Sequence, residues 1–221
     1  IPVNALSAEA IASLVAGMSG VRVRDLRRSI SEMKANGTSS YTLGDVIDHI
    51  KDDETISKNT REALTGWIAT LDDTGLFGKD AVPEVKNIVR PGKITLVDLS
   101  DFISLKKKQI VVSHIVGELL YHRRQGKIPP FLLVLEEAHQ FCPESRKELA
   151  LPKSRIETIA REGRKFQALL CLITQRPVRL STTVLSQCSN QVILKMTNPY
   201  DLDHVGRSSE GIDRPALDTI T

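Results

Sequence analysis

The sequence predicts an α/β protein: a mostly parallel sheet following an N-terminal helical subdomain. Two runs of uninterrupted apolar residues, Phe131-Leu132-Leu133-Val134-Leu135 and Ala168 to Thr174, have the composition of strands buried on both faces. Ile94–Val97, a long helix over about 103–124, and the Phe131 run read as strand, helix, strand. That crossover makes the two strands parallel. Residues 1 to about 80 show helical spacing only. The expected division is therefore a helical subdomain over 1–80 and the α/β part over 81–221.

Taken in order, Ser7 is an N-cap for a helix carrying Ala10, Ile11, Leu14 and Val15 on one face. Leu26, Ile30 and Met33 continue helical spacing to Asn36-Gly37, a helix stop. Thr42 or Asp45 opens a third helix bearing Val46, Ile47 and Ile50. A fourth runs from about Ser57 to Leu71, with Leu64, Trp67, Ile68 and Leu71 inward. Short connections imply antiparallel neighbours in a small bundle. Gly75-Leu76-Phe77-Gly78-Lys79-Asp80 is a turn and no P-loop, because its glycines are too close and Asp80 replaces the hydroxyl residue that reaches Mg²⁺. Beyond Ala168–Thr174 come a short helix near Thr182–Ser186, a further strand at Gln191–Met196, and a final helix from about Pro215.

Composition narrows the function classes. Of 221 residues, 41% are apolar and 26% charged, as in ordinary soluble domains. Aromatics make up only 4%, so the core rests on Leu, Ile, Val and Ala. A net charge of +3 is too small to argue for nucleic acid by itself. Cys142, Cys171 and Cys188 form no CxxC, which fits a reducing compartment, and Cys171 reads as a small core residue. With no membrane-length apolar run and no signal peptide, the expectation is a cytoplasmic protein with no membrane partner.

Chemistry concentrates after Pro130. Glu136 and Glu137 follow an apolar strand directly, and paired carboxylates there are costly unless something needs negative charge. Ligands of open α/β sheets sit at the carboxyl ends of the strands. Two readings stand side by side: a Walker B strand, or the solvated start of a loop. Neighbouring strand residues point to opposite faces, so the two acids would have separate tasks. From Glu144 to Arg179 there are nine Lys/Arg against four Glu, a local excess of five positive charges. Within that stretch Ile156, Ile159 and Ala160 mark a buried helical stripe, while Arg161 and Arg164 share an exposed face. A solvated helix face is the alternative for these arginines. The second apolar strand ends in Thr174-Gln175-Arg176-Pro177, again placing polar residues at a carboxyl end. His139 has no HExxH or Cys/His companions and reads as a hydrogen-bonded structural residue.

The order and spacing of Leu-Leu-Val-Leu-Glu-Glu-Ala-His-Gln-Phe, Arg-Glu-Gly-Arg-Lys-Phe, Thr-Gln-Arg-Pro, Leu-Ser-Gln-Cys-Ser-Asn-Gln and Thr-Asn-Pro resemble the HerA-type DNA translocases of archaea, within the HerA/FtsK group of P-loop ATPases. Asn4-Ala5-Leu6-Ser7 and the helical first half are similar to that family's helical insertion. The resemblance implies an incomplete RecA-like P-loop ATPase core. The family's Walker A strand and β-barrel would lie upstream, so a piece of a longer protein, inactive alone, is expected. It further implies that Glu137 is the general base or water-orienting residue and that Glu136 holds Mg²⁺ through water. One departure is Glu-Glu in place of the usual Asp-Glu. Gln175 would sense the γ-phosphate, Arg176 would add a second phosphate-sensing charge, and Arg161 or Arg164 would be an arginine finger serving a neighbouring subunit's ATP. The implied function is an ATP- and Mg²⁺-dependent DNA helicase, a homo-hexamer encircling double-stranded DNA and working with a nuclease in DNA-end processing. The loop from Pro143 to Lys153 is a candidate for basic DNA contacts. Two other functions fit the same residues: a motor of conjugation or secretion, and a non-catalytic scaffold that keeps the fold without a P-loop.

Overall fold

A computed structural model describes residues 1–15, 18–38, 40–79, 84–145, 150–195 and 198–208. The chain divides into two compact units, Ile1–Glu84 and Val85–Thr221.

The first unit is helical: α1 (Ala8–Ser13), α2 (Gly20–Ala35), α3 (Leu43–Asp52) and α4 (Lys58–Asp72). Local chemistry sets their ends. The Ser7 hydroxyl accepts from the Ala10 N–H at 3.1 Å, capping α1 as its position predicts. Helix α2 stops in a Schellman arrangement, with Thr38 N–H donating to Met33 O at 3.1 Å and Gly37 N–H to Lys34 O at 3.2 Å. Gly37 has φ +82°, a conformation in which a Cβ is strained. Helix α3 opens with a reciprocal capping box: Asp45 N–H donates to the Thr42 hydroxyl, and Thr42 N–H donates to the Asp45 carboxylate at 2.8 Å. Leu26, Leu43, Val46, Ile50, Leu64 and Ile68 are fully buried between the helices. Trp67 departs from the expected stripe: it is half-buried, with the Arg22 guanidinium 5.0 Å above its ring.

The second unit begins with α5 (Val85–Ile88) and α6 (Leu105–Arg124), then β1 (Phe131–Leu135), α7 (Lys153–Glu162), β2 (Ala168–Leu172), α8 (Thr182–Leu185) and α9 (Pro199–Ser208). The fold is α/β with a small parallel sheet, the architecture of an incomplete RecA-like core. Strands β1 and β2 pair in register from Phe131↔Ala168 to Leu135↔Leu172, with α7 in the crossover. Beneath them Val112, Val116 and Leu120 of α6 pack with Leu135, Ile156, Ile159 and Val184. Arg123 ties down the amino ends of both strands, donating to Phe166 O at 2.6 Å and Ile128 O at 2.9 Å.

Three expectations are corrected. The sheet is buried on one face only: Leu132, Val134 and Leu169 are about half exposed on the other. Ile94–Val97 forms no strand, so the parallel pair is β1–β2 rather than 94–97 with β1; Ile94 is 98% exposed and Leu96 85%. Residues 191–195 likewise form no strand. A strand needs a partner to satisfy its backbone, and among the described residues neither segment pairs with the open edges of β1 or β2. The final helix expected from about Pro215 lies outside the described residues, as does Asp80.

Two glycines are expected to respond oppositely to alanine. At Gly163 a Cβ would collide with the Ala168 carbonyl oxygen and meet Ile159 Cγ2 at 3.1 Å, whereas at Gly66, inside α4, it meets nothing within 4 Å. Gly163→Ala should destabilise the second unit by about 1–3 kcal/mol through overpacking. Gly66→Ala should stabilise the first by about 0.5–1 kcal/mol through helix propensity. Urea unfolding midpoints check both signs.

The capping box gives a pH dependence. The Thr42 backbone N–H, and then its hydroxyl, hold the Asp45 carboxyl below its ordinary value of 3.8. A depressed folded-state value means the stabilisation is fully present above 3.8 and is lost as pH falls through the folded value. Asp45→Asn should therefore be less stable than wild type at neutral pH, with the difference vanishing in acid. Thr42→Ala should cost about 0.5–2 kcal/mol at neutral pH. Thermal melts across a pH series read both.

Candidate functional site

The parallel register brings the carboxyl ends of β1 and β2 to one place, and hydrogen bonding continues past both strands. Ile173 N–H donates to Leu135 O at 2.9 Å, and Ala138 N–H donates to Ile173 O at 3.0 Å. Glu136 and Glu137 thus emerge beside Thr174, Gln175 and Arg176.

Glu136 is exposed and Glu137 half-buried. Glu137 has φ +48° and ψ 42°, a left-handed conformation uncommon for a residue with a side chain. Holding it there costs of order 1–3 kcal/mol, which the surrounding structure must offset, and such outliers cluster at functional sites. The turn after it is well anchored: Ala138 and Phe141 are buried, and Gln140 O accepts from the Gln109 side chain of α6 at 2.8 Å.

The 3₁₀ turn Ala138–Gln140 carries His139, whose Nδ1 lies 3.3 Å from Glu137 Oε2 and 2.9 Å from Thr174 Oγ1. Thr174 Oγ1 also accepts the Arg176 N–H at 3.0 Å. Sequence reasoning did give His139 a structural hydrogen bond, but it missed that the bond links the acidic strand to the Thr-Gln-Arg segment. The signal available was a polar residue shortly after each strand's carboxyl end. The pairing of His139 with Thr174, 35 positions apart, needed the register.

The remaining candidates divide between the two ends of β2: Gln175 and Arg176 follow Thr174 at the carboxyl end, whereas Arg161 and Arg164 precede the strand at its amino end. The side chains of Gln175 and Arg176 are exposed. Arg161 lies in the last turn of α7 and Arg164 in the following 3₁₀ turn, Gly163–Phe166, so the α-helix ends between them. Both are exposed, and among the described residues neither has a carboxylate partner. Other basic residues of the stretch have structural duties. Arg155 donates to Ser113 O from a half-buried position, where burial lowers its pKa, and Gly117 leaves room for its guanidinium. Lys153 donates to Pro143 O at 2.6 Å. The loop Pro143–Lys153 includes residues 146–149, which lie outside the described set.

After the turn, Asp201 is 3% exposed and accepts the Val178 N–H at 3.2 Å, so α9 fastens the segment that follows Arg176. Burial pushes the Cys142 thiol up to about 12, which rules it out as a nucleophile near neutral pH. Iodoacetamide with mass-spectrometric readout should label Cys142 only upon unfolding, after the less buried Cys171. The metal question turns on donor type. Among the described residues no three His, Cys, Asp or Glu could hold a metal together. Two adjacent carboxylates suit a hard cation kept mainly by water and phosphate, as Mg²⁺ is.

No helix of the described residues is long and apolar enough to cross a membrane. No protein-family model matches the chain. It is 31% identical over 215 residues to a protein of Methanocaldococcus jannaschii named as a probable helicase, covering 89% of this chain and 41% of that protein. It is 35% identical to the DNA double-strand break repair helicase HerA of Sulfolobus acidocaldarius, over 62% of this chain and 29% of that protein. The corresponding protein of Pyrococcus furiosus is 36% identical over 52% of this chain and 20% of its own length. The chain spans about two fifths of the length of the first relative and less of the others. The parallel pair and its acidic strand end thus occur in a chain that is similar to the HerA-type helicases over part of their length.

Proposed function

We propose that these residues are the Walker B half of an ATP-driven DNA helicase that acts in DNA-end processing. The observation that carries the reading is the convergence of Glu136, Glu137, Thr174, Gln175 and Arg176 at one end of a parallel pair, in a chain related to named repair helicases. In this reading residues 1–80 are an insertion in the ATPase core, and 81–221 are the later part of that core. The bare face of the sheet supports it, since Leu132, Val134 and Leu169 would be covered once further layers were present.

Glu137 orients and deprotonates the attacking water. Glu136 would hold Mg²⁺ through water, where its longer side chain could be accommodated. Such an ion, bound with ATP, would supply positive charge to offset that of the phosphates. Gln175 and Arg176 read the γ-phosphate. Arg161 and Arg164, exposed and without an ion pair among the described residues, reach the ATP of a neighbouring subunit, which requires a ring; a homo-hexamer around double-stranded DNA, handing ends to a nuclease, completes the reading. The phosphate cradle is not among these 221 residues, because no G-x-x-x-x-G-K-[ST] occurs in them. The isolated stretch is therefore inactive.

The test is DNA-stimulated ATP hydrolysis by the full-length protein. Glu137→Gln should abolish turnover and leave nucleotide binding intact. Arg164→Ala, or Arg161→Ala if that residue is the finger, should lower kcat by about 10³- to 10⁵-fold. Near-normal turnover in Glu137→Gln would remove the catalytic assignment, and a full-length protein that neither binds nor hydrolyses ATP would leave a scaffold.

A further inference from the structure

We infer that His139 is a positioning residue that couples the Glu137 carboxylate to the end of β2 through Thr174. The inference rests on the reading of Glu137 as the water-orienting carboxylate.

One ring nitrogen serves two neighbours. His139 Nδ1 is 3.3 Å from Glu137 Oε2 and 2.9 Å from Thr174 Oγ1. A neutral imidazole nitrogen offers either one N–H or one lone pair. Carrying its proton, Nδ1 faces two acceptors at once, the Glu137 carboxylate and the Thr174 oxygen. The nearer Thr174 oxygen fixes the tilt of the ring, and the ring fixes the direction from which the carboxylate is held. A change at Thr174 is therefore felt at Glu137.

The mechanical setting suits such a coupling. His139 is 13% exposed and sits on a turn pinned to the core by Ala138 and Phe141. Its two partners are freer. The Glu137 side chain is 43% exposed and hangs from a left-handed residue. Thr174 lies past the last paired residue of β2, with exposed Gln175 and Arg176 behind it. Thr174 Oγ1 also accepts the Arg176 N–H at 3.0 Å. An anion drawing on Gln175 or Arg176 pulls on that backbone, and with it on the hydroxyl facing His139. The rigid imidazole then re-aims the carboxylate. Hydrolysis is thereby tied to what the segment beyond β2 has bound.

The experiment compares Thr174→Val, Thr174→Ser, His139→Ala and Glu137→Gln in the full-length protein. It measures steady-state kcat and KM for DNA-stimulated ATP hydrolysis, with fluorescent ATP-analogue binding and thermal melts alongside. Valine is nearly the shape of threonine, so Thr174→Val should fold as wild type even where His139→Ala does not. It should lower kcat on the order of 10- to 100-fold, as misaimed catalytic groups do, with KM and analogue binding unchanged. Thr174→Ser should restore turnover, because only the hydroxyl is required. The double variant Thr174→Val/His139→Ala should be no slower than the slower single one, since both break the same link. An inactive Glu137→Gln beside a Thr174→Val with wild-type kcat would overturn the coupling and leave the base assignment standing. A Thr174→Ser as slow as Thr174→Val would also overturn it. An active Glu137→Gln would overturn both.

Discussion

The second unit depends on how the parallel ladder continues beyond its strands. Two hydrogen bonds, Ile173 N–H to Leu135 O and Ala138 N–H to Ile173 O, hold the carboxyl ends of β1 and β2 together. Side chains alternate along a strand, so slipping the register by one residue would turn the inward residues outward and separate the acidic pair from the Thr-Gln-Arg segment. At the amino end, the Arg123 guanidinium on the carbonyls of Phe166 and Ile128 fixes the same register. Both ends of the pair are thus tied, and the polar residues beyond one end inherit a defined spacing.

Close backbone packing adds a second constraint. Gly163 lets the end of α7 approach the Ala168 carbonyl oxygen with no Cβ between them. The 3₁₀ turn Gly163–Phe166 then leads through Gln167, at φ +54°, into β2. Arg161 and Arg164 flank this junction, so their backbones are set by the same contact that seats β2. The Arg124–Glu162 pair at 2.6 Å and Arg124 stacked over Phe166 brace it from α6. The surface pair adds little to stability. Its position still defines where the α7 end stands relative to the sheet.

Features set by neighbours in sequence were readable from it. Ser7, Thr42 with Asp45, and Asn36-Gly37 act through atoms three to five residues away, and each lies where the capping rules place it. The β1 and β2 strands were readable as apolar runs. Features that need distant partners were not. The runs at 94–97 and 191–195 carry strand composition, yet strand formation depends on an available edge, and composition does not report one. Both-face burial of β1 failed for the same reason: Leu132 and Val134 are as apolar as Leu133 and Leu135, and only the packing of α6 and α7 separates inside from outside. In the site, the acids, Gln175 and Arg176 were readable as residue types at strand ends, and Arg161 and Arg164 as exposed residues of the helix before β2. The Glu137–His139–Thr174 link was not, because it crosses from one strand end to the other.

The distribution of positive charge separates structural from available groups. The excess between Glu144 and Arg179 looks uniform in sequence. In the fold, Arg155 and Lys153 spend their donors on backbone carbonyls. Arg161, Arg164, Arg176 and Arg179 keep exposed side chains, with no ion pair among the described residues. Exposed arginines held on a backbone this well constrained need little reorganisation to meet an anion. The same five donors, in water, are already well solvated, so the gain on binding comes from geometry more than from charge. A phosphate brought to the carboxyl ends of β1 and β2 would meet Arg176, and the acids at the end of β1 then need a cation between themselves and the phosphate, whereas Arg161 and Arg164, at the amino end of β2, face a different edge of the unit. Two carboxylates beside an available guanidinium group make chemical sense as parts of one phosphate-handling surface, whereas either alone would be an ordinary solvated edge.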